Sequence, residues 1–177
     1  MVSGVRKLFG GAIESAFPAR LEDVSCLRPV PDSQEMFTDA ELDQTLIVEI
    51  MEHQQLPPRK AAETFFADMA DLDGAVTSTV DIIDDQGRDH CPLIPAGLQQ
   101  TLLQGSVVVK EKGLSVDGNK VLQVSMANIR IPEKQSDILV TFLRPRHGSS
   151  VAHLHAAESV HTQALATFQI HDWALFG

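Results

Sequence analysis

Seven carboxylates between positions 32 and 52, namely Asp32, Glu35, Asp39, Glu41, Asp43, Glu49 and Glu52, alternate with apolar residues instead of forming an acidic tail. Such a series suits an ordinary solvated rim, or a binding surface whose carboxylates meet lysines or arginines of a partner around an apolar centre. Glu49 and Glu52 fall on opposite faces if Thr45 to Glu52 is a strand, and on one side if the segment ends in a helical turn. Both geometries are open from spacing alone. Arg28, between Leu27 and Pro29, sits in a stiff segment. It is either a local ion-pair partner or an anchor for a second protein.

Other chemistry finds less support. His153, His155, His161 and His171 lie close in sequence, but no Cys or carboxylate around them completes a zinc spacing, so no metal is expected. His90 beside Cys91 reads as a surface histidine next to a structural cysteine, and Cys91 lacks the neighbourhood of a cysteine hydrolase. Gly10-Gly11 lacks the further glycines and the lysine of a phosphate loop. The reading is a binding protein without cofactor or catalytic group. Cys26 and Cys91 are expected as unpaired thiols in a reducing compartment.

The elements that must position these residues are mostly strands. Leu8 to Ile13 is a bend at a glycine pair entering a short strand, and Leu27 to Asp32, with two prolines around one residue, is an extended connection. Gln34 to Phe37 is a short strand. Thr45 to Glu52, apolar on both faces, is a central strand covered on both sides. Arg59 to Leu72 is a helix with a stripe of Ala61, Ala62, Phe65, Phe66 and Met69. The stretch from Asp81 to Gly97 is expected to be mostly loop. Thr101 to Lys112, Lys120 to Ile131 and Asp137 to Leu143 are strands with hairpin-length connectors, and Val151 to Ile170 is the longest helix. This order predicts a three-layer αβα sandwich: a mainly antiparallel sheet of about six strands with one helix on each face.

The 177 residues are 44% hydrophobic and 21% charged, which suits one domain spanning 1–177. Residues 1–94 hold 7 basic and 18 acidic side chains, net −11, and residues 95–177 hold 7 and 6, net +1. A field of that sign repels phosphate backbones and favours a basic protein surface over nucleic acid or an anionic membrane. No apolar run reaches the length needed to span a bilayer, and no secretory leader is expected.

The segments LFGGAI at Leu8 to Ile13, LRPVPDSQEMF at Leu27 to Phe37 and DQTLIVEIME at Asp43 to Glu52 resemble the Ran guanine nucleotide release factor family, also called the Mog family. SDILVTF at Ser136 to Phe142 and the terminal DWALFG extend the likeness over nearly the whole chain, with the match poorest between Met51 and Gln100. The resemblance implies a Mog/PsbP-like sandwich that binds the small GTPase Ran, promotes release of its nucleotide and supports nuclear protein import. It further implies a monomer when free, present in the nucleus and the cytoplasm. The matching positions imply partner contacts at Glu49, Glu52, Asp32, Glu35 and Arg28. A scaffold or chaperone-like protein of the same fold, with another basic partner, is the alternative.

Overall fold

A computed structural model describes residues 3–25, 27, 29–86, 89–110, 118–146 and 160–177. The strands are β1 (Ser3–Leu8), β2 (Ile13–Pro18), β3 (Glu22–Asp23), β4 (Gln34–Asp39), β5 (Gln44–Glu52), β6 (Thr77–Asp84), β7 (Gln100–Lys110), β8 (Asn119–Ile131), β9 (Ser136–Pro145) and β10 (Gln169–Ile170). Helix α1 is Pro58–Leu72, and α2 occupies residues 160–166. Seven strands form one sheet in the order β3-β4-β5-β9-β8-β7-β6, every pairing antiparallel. A second sheet, β1-β2-β10, is also antiparallel.

The expected sandwich is present, with three departures. The large sheet has seven strands: five of those expected, joined by the short β3 and by β6. Strand β6 starts at Thr77 and takes in the first residues of the Asp-rich stretch expected as loop with a short piece of strand, while the strand expected after the glycine pair lies in the small sheet. The small sheet was not anticipated, since β10 is two residues long and carries no periodicity of its own. The expected helix over 151–170 has its first part outside the described residues, and its end is different: the helix stops by Thr167 and Gln169–Ile170 is strand. The Thr167 hydroxyl donates to the Gln163 carbonyl and accepts the Ala16 amide at 2.8 Å, tying the helix end to β2.

Alternation along the central strands builds two cores. On one face Leu46, Val48, Ala127, Ile129, Ile138, Val140 and Phe142 pack with Phe17, Ile13 and the α2 residues Val160, Ala164 and Leu165. On the other, Val124, Met126, Leu139 and Leu143 meet Ala61, Ala62, Phe65 and Phe66 of α1. The two helices thus lie on opposite faces. Pro58 opens α1 at a position where a missing N–H is harmless, and burial of each phenylalanine stabilises by about 2–3 kcal/mol. Helix α1 makes its main contacts with β6, β7 and β8, and Ile47, Glu49 and Met51 of β5, farther along the sheet, stay half-buried.

Buried polar groups are paired across the layers. Asp137 accepts from His53 Nδ1 and from the Gln54 amide, both at 3.1 Å, and from Arg130 Nε at 3.4 Å. Arg130 also donates to the carbonyls of Leu56 and Gln54, and its Nη2 lies 3.3 Å from His53 Nε2. This network fastens the connector that leads into α1.

Two tests follow from packing. A Cβ at Gly105 would lie 2.4 Å from the Thr79 carbonyl oxygen and 3.0 Å from the Phe66 ring, so the close approach of β6 requires glycine there. Gly105→Ala is expected to destabilise the fold by about 1–3 kcal/mol in urea unfolding. His161, fully buried and donating through Nε2 to the Val140 carbonyl at 2.9 Å, has its pKa lowered to about 4 by burial, which outweighs that bond. The unfolded chain therefore takes up this proton first, and stability falls as pH drops from 6.5 towards 4. The displacement corresponds to on the order of 3 kcal/mol. His161→Gln, which keeps a donor for Val140, is expected to lose that component when urea midpoints at pH 7 and pH 4.5 are compared with those of the unchanged protein.

Candidate functional site

The glycine pair shapes the first wall of a groove. Phe9, Gly10 and Gly11 all have positive φ, at 49°, 67° and 96°, and form a single 3-10 turn between β1 and β2. Two consecutive glycines make that left-handed run accessible. The turn directs the Phe9 amide at Glu35, whose carboxylate accepts it at 2.6 Å. Glu35 lies on β4 on the same face as Phe37 and is half-buried.

Asp32 is exposed in the turn just before β4, where the Gln34 amide donates to the Pro31 carbonyl at 2.9 Å. With Phe9, Asp23, Ser25, Gln34 and Met36, Asp32 and Glu35 line a groove of about 300 Å³. Three carboxylates from three segments thus converge on one concavity. Asp23 was not singled out from the sequence; its carboxylate accepts the Ser25 amide at 2.8 Å, and only the β3-β4 pairing brings it opposite Phe37.

Glu49 stands directly across from Gln34 in the β4-β5 register, on the α1 face, and accepts from Gln34 Nε2 at 2.6 Å. Burial raises its pKa, the Gln34 bond opposes that rise, and the Asp73 charge adds to it. Since β5 is a regular strand through Glu52, Glu49 and Glu52 lie on opposite faces, which decides between the two geometries open from spacing. Glu52 is exposed at the strand end opposite Ser136 and does not line the groove. Of the acidic residues picked from sequence, Asp32 and Glu35 share the groove, Glu49 reaches it through Gln34, and Glu52 stands apart. Arg28 lies outside the described residues.

A larger concavity of about 740 Å³ lies elsewhere, between the 53–57 connector, Leu98 and Trp173. Its Arg130 is engaged with Asp137 and two carbonyls, which fits a structural role. Cys91 is buried with its thiol pushed up to about 12 by burial and by the Asp89 charge, so it is no nucleophile at neutral pH. Cys26 lies outside the described residues. Among the described residues no group of three or more His, Cys, Asp or Glu converges as a metal site, and no helix is long and apolar enough to cross a membrane.

Comparison with known proteins gives this groove its context. Residues 6–145 match the family model described as Ran-interacting Mog1 protein. The chain belongs to the Mog1 family. It is 34% identical over 139 residues to the Ran guanine nucleotide release factor of Homo sapiens, covering 78% of this chain and 74% of that one. It is 32% identical over 148 residues to the protein of the same description from Danio rerio, covering 79% and 77%. A 52-residue stretch, 29% of this chain and 27% of the other, is 42% identical to the nuclear import protein mog1 of Schizosaccharomyces pombe. The crystal structure of the Saccharomyces cerevisiae Ran-binding protein Mog1p superposes with a TM-score of 0.76 over 100% of both chains at 20% identity, showing that the Mog1 fold is shared.

The raised pKa of Glu49 means that its ionised carboxylate opposes folding at neutral pH. Glu49→Gln, which retains an oxygen for Gln34, is expected to raise the melting temperature at pH 7. The gain should shrink as pH falls through the raised folded value towards the ordinary glutamate value of 4.5, and be lost below it, where the carboxyl is protonated in both folded and unfolded chains.

Proposed function

We propose that this chain binds the small GTPase Ran and promotes release of its guanine nucleotide, in support of nuclear protein import. The observation that carries the reading is the convergence of Asp23, Asp32 and Glu35 on one groove in a chain whose family is described as Ran-interacting. Glu35, clamped to the Phe9 amide, needs little reorganisation to bind, while the exposed Asp32 is the forward contact for a lysine or arginine of the GTPase. Glu49, held by Gln34, extends the acidic surface, Glu52 serves as a peripheral contact, and Arg28 is a further partner contact. The 1–177 chain acts as one Ran-binding domain and is monomeric when free.

Release needs no bond-breaking group. A protein that binds the nucleotide-free form more tightly than the loaded form lowers nucleotide affinity by the same factor, by linkage. The chain therefore acts through binding, without cofactor or metal, in the nucleus and also in the cytoplasm. Neither nucleic acid nor membrane enters this reading.

Asp32→Lys replaces an exposed carboxylate and leaves the core untouched. It is expected to slow release of a fluorescent nucleotide from Ran at least about tenfold and to weaken capture of nucleotide-free Ran to a similar degree, with an unchanged melting temperature. The loss should diminish with added salt, as screening predicts. Unchanged release by this folded variant would remove the groove from the mechanism, and absence of binding by the unchanged protein to Ran in any nucleotide state would remove the function.

A further inference from the structure

The seven-stranded sheet has two unlike edges. One ends in β3, which is two residues long and offers almost no backbone for pairing. The other ends in β6, eight residues long and paired on one side with β7; among the described residues no strand lies on its outer side. A long open edge presents a row of outward N–H and C=O groups and is usually blunted by charge, proline or shortness. Here Thr77 to Ile82 are exposed, and none is proline.

Apolar side chains accompany that edge. Leu72 is 89% exposed at the end of α1, Val76 50% in the connector, and Val80 38% and Ile82 57% on the strand itself. Val80 pairs with Gly105 and Ile82 with Gln104, on opposite faces of the sheet, so both sides of the edge offer apolar surface to an added strand. The intervening residue is a bulge at Asp81, which twists the strand and restricts regular pairing to a short segment of about four residues.

Charge selects the occupant. Residues 71–89 contain six aspartates and one arginine. Arg59 pairs with Asp85 at 3.2 Å and His90 lies 3.7 Å from Asp84, while Asp71 and Asp81 are exposed. A second copy of this chain paired β6 to β6 would set its own aspartates against one another, which disfavours a homodimer through this edge. A basic strand would meet complementary charge.

We propose that β6 is a docking edge that takes an extended lysine- or arginine-rich segment of another protein as an added strand. Main-chain hydrogen bonds supply affinity, Ile82, the more exposed of the two apolar side chains on the strand, contacts the apolar face of the added segment, and Asp81 and its acidic neighbours select for basic side chains. The edge lies at the far end of the sheet order from β4 and its groove, so the two surfaces can be occupied together.

The test uses fluorescence anisotropy with a labelled peptide of about ten residues that alternates valine with lysine, added to the full chain at low salt. Saturable one-to-one binding is expected, with at least tenfold weaker binding of the same peptide methylated on alternate backbone nitrogens, and of a glutamate-for-lysine peptide. Asp81→Lys with Ile82→Lys should weaken the basic peptide at least tenfold while leaving the melting temperature and the release of nucleotide from Ran unchanged. Equal binding of the methylated peptide would overturn strand addition without recourse to any variant. Displacement of the peptide by Asp32→Lys but not by the β6 changes would assign it to the groove and overturn the proposal. So would sedimentation showing that the edge is covered by a dimer of this chain.

Discussion

Everything in this molecule depends on β9 being buried on both faces. Residues Ser136 to Leu143 are all inaccessible, with Ile138, Val140 and Phe142 in one core and Leu139 and Leu143 in the other. A one-residue slip of that strand would exchange the two sets and empty both cores, so its register with β5 and β8 is strongly specified. The polar members of the strand are fixed by the same requirement. Asp137 can sit inside only because His53, Gln54 and Arg130 satisfy it, and Arg130 is its direct partner in the β8-β9 register. That one buried pair also carries the connector into α1, joining the sheet centre to the helical layer.

The groove inherits its geometry from this centre at one remove. β5 pairs with β9, β4 pairs with β5, and Glu35 therefore stands where the Phe9 amide can reach it only if the whole series is in register. The left-handed turn at Phe9-Gly10-Gly11 supplies the amide, and the core residues Leu8 and Ile13 on either side hold the turn against the sheet. A carboxylate held in this way is positioned before any partner arrives, which lowers the ordering entropy lost on association. Glu49 represents the opposite case: half-burial and the Asp73 charge make its ionised form unfavourable, as expected where stability is exchanged for a charged surface.

The partial cover by α1 gives the sheet a functional asymmetry. At the β6 end the helix shields one face but leaves the edge strand open; at the β4-β5 end it leaves Met36, Ile47 and Glu49 only partly covered. The two proposed binding surfaces thus lie at opposite ends of the sheet order. Proteins that act by selecting one conformation of a partner need rigidity, because the difference in affinity between two partner states is all they contribute.

Periodicity, turn chemistry and charge in the chain were enough to specify the strands β4, β5, β7, β8 and β9, the helix α1, and opposite faces for the helices. These elements carry their own apolar patterns, and the α1 stripe from Ala61 to Met69 is legible without neighbours. Asp32 and Glu35 were singled out through the family motif that contains them, and the fold brings both to the groove. The rest was decided only in three dimensions, since it depends on contacts between segments distant in sequence. β10 is strand only because β2 offers it a partner, and β6 is strand only because Gly105 admits its backbone. Asp23 joins the groove through pairing of β3 with β4, Glu52 leaves it because β5 stays extended to its end, and the pKa of Glu49 reflects burial and an aspartate 24 positions away. Local sequence holds no record of such juxtapositions: a residue's type fixes what chemistry it can do, and packing fixes what it does it to.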